Sequence, residues 1–275
     1  MANPDVVVVI GAGGMGQTIA RQQGAGRTVL LADINEAILK EAADSMRSDG
    51  YAVTEQRVDV SSRESVGALA DAATGLGAVT QIVHTAGLSP AQAPAKAILA
   101  VDLLGVALVL EEFAAVVASG GAGVVISSMA GHLGVRLDSE VEARLADTPA
   151  DQLLQLPLLV GVTEAAAAYG LAKRGNHLQV QAASRKWGQR GARINSVSPG
   201  VIATPMGQQE LGGEHGARIR AMIEHSGTGR IGTATDIADA VAFLLGPTAT
   251  FITGTDLLVD GGVVPLARSM QALNA

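Results

Sequence analysis

The run Asp5-Val-Val-Val-Val-Ile10 passes directly into Gly11-Ala-Gly-Gly-Met-Gly16. A compact β-branched run suits a strand buried on both faces, as in a parallel sheet. Gly11, Gly13 and Gly16 fit G-x-G-x-x-G, with Gly14 and Met15 between them, and Gln17 to Gln23 continues as a helix. Strand, glycine turn and helix in that order form a dinucleotide site. The glycines let the backbone approach a pyrophosphate, and the helix N-terminus offers unpaired N–H groups and a positive dipole. The second strand, Thr28 to Ala32, ends in Asp33, twenty-two positions after Gly11. An acidic residue there meets the ribose 2′-hydroxyl of NAD and repels a 2′-phosphate. No Arg or Lys stands at Ile34 or Asn35, so the reading is NAD over NADP. Capping the helix Asn35–Arg47 is a second role open to Asp33.

The alternation runs to the end of the chain. Tyr51 to Val58 is a third strand closed by Asp59-Val60, and Ser62 opens a helix to Thr74. The strand Val79–Val83 enters His84-Thr-Ala-Gly87, a turn at a strand's carboxyl end, where His84 either caps the turn or faces a ligand. A long helix over roughly 95–118 precedes the strand Val124–Ser127, with Ser128 at its end. A helix over 164–186, the strand Ala192–Val197 and Ser198-Pro-Gly200 follow. Helices at 214–225 and from Asp236 to Leu245, then the strand Leu257–Val259, complete the series. This predicts one α/β domain over 1–275, a Rossmann-type doubly wound parallel sheet of about seven strands with helices on both faces. Residues 132–163 interrupt the rhythm: they are acidic at Asp138, Glu140, Glu142, Asp147 and Asp151, then apolar from Leu153 to Val160.

Composition narrows the partners. Aromatics are 2% against 48% hydrophobic residues, so the core is aliphatic. The absence of cysteine excludes disulfides, thiol catalysis and zinc–thiolate sites; it fits a cytoplasmic protein, and nothing else in the pattern asks for a metal. A net charge of −7 argues against nucleic acid. The longest apolar run, Ala97 to Leu110, is broken by Asp102 and is too short for a bilayer, and no secretory leader is visible.

Within the alanine-rich run 164–186 stands Tyr169-Gly-Leu-Ala-Lys173. Residues four apart share a helical face, and a fixed ammonium beside a phenol lowers the tyrosine's pKa from about 10 towards the range of an acid–base catalyst. A surface lysine beside a partly buried tyrosine is the plainer alternative.

Taken together, the Gly11–Gly16 loop, Asp33, Asp59-Val60, Ala86-Gly87, Ser127-Ser-Met-Ala-Gly131, Tyr169-x-x-x-Lys173, Arg193-Ile-Asn-Ser-Val-Ser-Pro-Gly200, Thr204-Pro205 and Asp260-Gly-Gly262 stand in a telling order. The chain resembles the classical short-chain dehydrogenases/reductases over roughly 5–131 and 164–263. The resemblance implies Tyr169 as general acid/base, Lys173 as the group that tunes it and holds the nicotinamide ribose, and Ser128, not Ser127, as the serine that holds the substrate oxygen. It places Asp59, Val60, Ala86 and Gly87 along the cofactor, and Pro199, Gly200, Val201 and Thr204 at its nicotinamide end. It implies a small-molecule secondary alcohol or ketone as substrate, and a homotetramer. The last agrees with the small and apolar residues all round the helices 95–118 and 166–187, which one buried face does not require.

The chain departs from the family pattern in four places. The family's usual loop is T-G-x-x-x-G-x-G. Asp102 stands where the family has a catalytic-tetrad Asn, with its carboxylate either turned to Lys173, or else facing solvent or capping a neighbouring turn. His84-Thr-Ala-Gly87 replaces Asn-Asn-Ala-Gly. Forty residues lie between Ser128 and Tyr169, so 132–163 is an insertion near the substrate site, expected as a flap with its leucines over the pocket and its carboxylates in solvent. A non-catalytic NAD-binding regulator or assembly protein on the same fold is the competing reading.

Overall fold

The computed structural model describes residues 4–134, 137–213 and 216–273. Its strands are β1 (Asp5–Ile10), β2 (Thr28–Asp33), β3 (Ala52–Arg57), β4 (Ala78–His84), β5 (Ala122–Ile126), β6 (Arg193–Pro199) and β7 (Asp256–Val259). They form one parallel sheet in the order β3-β2-β1-β4-β5-β6-β7. The β-branched run of β1 lies near its middle, and Val6 to Ile10 are fully buried. Because side chains alternate, Val6, Val8 and Ile10 enter one apolar layer while Val7 and Val9 enter the other. The order reverses direction between β1 and β4, and in open α/β sheets the ligand crevice forms at the carboxyl ends there.

The helices are α1 (Gly14–Gly24), α2 (Glu36–Ser48), α3 (Arg63–Leu76), α4 (Ala95–Ile98), α5 (Gly105–Val116), α6 (Ala130–Leu133), α7 (Ser139–Asp147), α8 (Ala150–Leu153), α9 (Ala165–Gln189), α10 (Pro205–Gly212), α11 (Gly216–Glu224), α12 (Ala234–Leu245) and α13 (Val263–Leu273). One layer is built with α1, α2 and α12, the other with α3, α5 and α9. Two caps settle helix starts. Asn35, not Asp33, caps α2, its side chain accepting from the N–H groups of Ala37 and Ile38. Thr233 and Asp236 form a reciprocal capping box on α12. The long helix expected over 95–118 is interrupted: Leu99–Leu104, between α4 and α5, is a π-helical turn.

Residues 137–162 do not form the expected flap. Leu145, Leu153 and Leu159 are buried in the same layer as Leu108, Phe113 and Leu178. Of the carboxylates expected in solvent, Asp138, Glu140, Asp147 and Asp151 are exposed, Asp151 also reaching Arg63 of α3 at 3.0 Å, while Glu142 is partly buried and pairs with Arg174 of α9. Arg63 also holds Glu111 and Glu112 of α5, each at 2.6 Å, and the Ala150 N–H donates to Glu111. This cover accounts within one chain for the all-round apolarity of α5 and α9.

Candidate active site

The glycine loop is shaped by contact with β4. Gly11 has φ +106°, and a Cβ on it would lie 2.4 Å from the Thr85 hydroxyl; a Cβ on Gly16 would strike the Gly11 carbonyl. Gly13, by contrast, faces open space, and as the N-cap of α1 it offers no side chain to the first N–H groups. A backbone surface with free donors and no Cβ suits an approaching pyrophosphate. Asp33 ends β2 with its carboxylate held by two backbone donors, Ala12 at 2.7 Å and Asn35 at 2.8 Å. The register places Arg57 abreast of Asp33, where its guanidinium lies 3.6 Å from Glu36. This cation, on another strand, is absent from any reading of Ile34 and Asn35 alone. The loop, the α1 N-terminus and Asp33 together fit a dinucleotide.

The remaining cofactor candidates vary in their surroundings. Ala86 and Gly87 follow β4; Pro199 ends β6, Gly200, Val201 and Thr204 follow it, and these four line a cavity with Met15. Thr204 caps α10 through the Gly207 N–H and lies against Gly14 across the crevice. Val60 is buried against Gly105, and the Asp59 carboxylate accepts from Ser61.

Tyr169, Lys173 and His177 share the inner face of α9. The Lys173 ammonium is 5.3 Å from the Tyr169 ring centre, and Ser128 and Tyr169 line one cavity of about 350 Å³. The Ser128 hydroxyl accepts from the Ala130 N–H at 3.1 Å and lines the cavity with the phenol, whereas Ser127 spends its proton on the Lys173 carbonyl at 3.0 Å. Asp102 points inward. Its carboxylate is wholly buried, 3.0 Å from the Lys173 ammonium, and accepts from the Leu88 N–H at 2.8 Å. The solvent-facing alternative for this side chain is thereby removed. A Cβ on Gly87 would sit 3.1 Å from that carboxylate and 3.4 Å from that ammonium, so the turn presses on the pair.

Electrostatics here differ from the simple Tyr–Lys picture. Burial pushes the Tyr169 phenol above its ordinary value; Lys173 and Ser128 act downward, while Asp102 and Glu210 add to the rise. The net direction is opposite to the fall that the i, i+4 cation alone predicts. For Lys173 burial works against the charge, but Asp102, then Tyr169, outweigh it and hold the ammonium above its usual pKa.

His84 caps no turn. It is buried with no hydrogen-bond partner at either ring nitrogen among the described residues, and burial pushes it down to about 3. Sequence reasoning passed over four residues here. His132, directly after the Ser128 segment, pairs with Asp256 at 2.7 Å; Asp256 also accepts from Ser196 and Ser198, and His177 lies 3.4 Å from it. These His and Asp ligand atoms lie within 4.8 Å of one another, but hydrogen bonding already accounts for the carboxylate. Only the i+4 step from Lys173 to His177 was visible in the chain. The fourth, Glu210 of α10, lines the Tyr169 cavity with no sequence signal.

Residues 5–139 match the family model described as short chain dehydrogenase, and residues 158–264 the one described as enoyl-(acyl carrier protein) reductase. The short-chain dehydrogenase/reductase bsc3 of Alternaria brassicicola is 44% identical over 260 residues, 94% of this chain and 95% of that protein. The cis-4-hydroxycyclohexanecarboxylate dehydrogenase of Sinomonas cyclohexanicum is 29% identical, over 94% and 95%. An actinorhodin polyketide ketoreductase variant, solved with NADPH, superposes with a TM-score of 0.75 at 25% identity over 96% of this chain and 99% of its own.

Proposed function

The chain belongs to the short-chain dehydrogenase/reductase family, and from that premise we propose that it is an NAD-dependent oxidoreductase acting on a secondary alcohol or the matching ketone. The observation that carries the reading is that Ser128 and Tyr169 line one cavity beside the glycine loop, with the buried Lys173 ammonium 5.3 Å from the Tyr169 ring centre behind it. A dinucleotide held by the loop, the α1 N-terminus and Asp33 supplies the hydride acceptor or donor. The chain's own residues handle the proton. Tyr169 takes it from the carbinol, or gives it to the carbonyl, at the phenol oxygen. Ser128 donates to the substrate oxygen where charge develops. Lys173 steadies the phenolate electrostatically, and Asp102 fixes Lys173 in place.

NAD over NADP rests on the anionic end of β2. The Asp33 carboxylate opposes a 2′-phosphate and accepts from ribose hydroxyls. Wild-type kinetics with both cofactors and a panel of cyclic, aliphatic and steroid alcohols should show NAD preferred. Asp33→Ala should weaken NAD and narrow the gap; a wild-type preference for NADP contradicts the assignment. Tyr169→Phe keeps the ring but loses the proton, so kcat should fall at least about a hundredfold with cofactor affinity nearly unchanged. Near-normal kcat in that variant would remove Tyr169 from the proton transfer; no turnover by wild type with any alcohol of the panel would favour the non-catalytic binding protein.

A further inference from the structure

The cavity shared by Tyr169 and Ser128 is apolar on most sides, with Met15, Leu133, Ala166 and Met206 among its walls. Helix α10 brings a single carboxylate into it, Glu210. Apart from Tyr169, this is the only ionisable side chain that lines the cavity among the described residues. It is half-buried, and burial alone raises its pKa: no neighbouring donor or cation among those residues acts on it. Elsewhere in the chain, partly buried carboxylates such as Glu142, Glu111 and Asp256 are all engaged by Arg, Ser or His. A carboxylate in an apolar cleft with no partner among the described residues loses its remaining water when a ligand fills the cleft, which costs binding unless the ligand supplies a donor. Glu210 and Tyr169 line the same cavity, so one small molecule in it can present a group to each.

We propose that Glu210 is the specificity-determining residue of this cleft. It receives a hydrogen-bond donor, a second hydroxyl or an ammonium, that the substrate carries away from the reacting carbinol, and it rejects substrates bearing an acid there. The inference rests on the oxidoreductase reading of the same site. The shared chemistry is donation to a carboxylate; the two sources differ in charge. An amide at 210 still accepts from a hydroxyl but no longer attracts a cation.

The test uses the full chain with its cofactor and four matched alcohols: cyclohexanol, 1,4-cyclohexanediol, 4-aminocyclohexanol and 4-hydroxycyclohexanecarboxylate. Wild type, Glu210→Gln and Glu210→Leu are compared by kcat and KM, by calorimetric binding of each alcohol, and by thermal melting. Wild type should favour the diol or the amino alcohol over cyclohexanol by about tenfold or more in kcat/KM, mostly through KM, with the acid below cyclohexanol. Glu210→Leu should erase these differences. Glu210→Gln should keep an advantage for the diol and lose one for the amine. Equal treatment of cyclohexanol and both donors by wild type overturns the proposal. So does an unchanged order in either variant that melts like wild type. If none of the four turns over but the donors bind through Glu210, the oxidoreductase reading falls and the subsite stands. Turnover without donor preference removes the subsite alone.

Discussion

Under the proposed mechanism, Asp102 is the residue on which the proton chemistry turns. A wholly buried carboxylate is tolerated because an ammonium and a backbone N–H meet it, and removing either partner would leave a desolvated charge. The same contact works against catalysis in one direction. Asp102 keeps Lys173 charged but acts on Tyr169 to disfavour phenolate. Alcohol oxidation draws on the phenolate, so kcat in that direction should climb with pH towards a phenol pKa that burial has already raised. Asp102→Asn removes an anion near the phenol, and the limb should move to lower pH. Profiles of both forms in the same salt decide this, and superimposable limbs would mean that Asp102 does not bear on the tyrosine. Tyr169 and Lys173 were legible because a helix makes i and i+4 neighbours. Glu210 and Arg57 were not, since α10 and strand register bring them from distant parts of the chain.

At the level of elements, two segments depart from their sequence patterns. The π-turn Leu99–Leu104 widens one turn of an otherwise regular helix, and Asp102 lies within it, directed at Lys173. Nothing in the apolar run Ala97 to Leu110 marks that turn, because its residues suit an α-helix equally well. In the segment 137–162 the composition was read correctly and its destination was not. An apolar end must be buried, but sequence alone does not say whether a cleft or a helix pair will bury it. Leu153 is fully buried in the core layer and absent from the lining of the Tyr169 cavity. Leu153→Ala should therefore cost about 2–4 kcal/mol of stability, read by urea unfolding, with KM unchanged. A raised KM for bulky substrates at normal stability would restore the flap.

For the molecule as a whole, acid should be destabilising beyond the usual carboxylate effect. Burial pushes His84 down to about 3 and His177 to about 4, from ordinary values near 6.5. Between those limits the unfolded chain binds protons that the folded chain refuses, so stability is lost as pH falls below about 6.5. Each histidine contributes a slope of at most about 1.4 kcal/mol per pH unit. Urea unfolding at several pH values from 4.5 to 7.5 should show this fall, and His84→Asn should flatten part of it. A variant with the wild-type slope would show that His84 takes up its proton when folded.

The sequence by itself determined the repeating strand–helix order, the parallel sheet, the glycine loop and the Tyr169–Lys173 pair. Each follows from local rules: β-branched runs, helical periodicity, and the backbone freedom of Gly11 beside β4. Only the tertiary structure decided where Asp102 points, what His84 meets, which surface the segment 137–162 covers and that Glu210 enters the cleft. Those outcomes depend on which residues, far apart in the chain, compete for the same buried space and the same charges, and such competition has no period in a sequence.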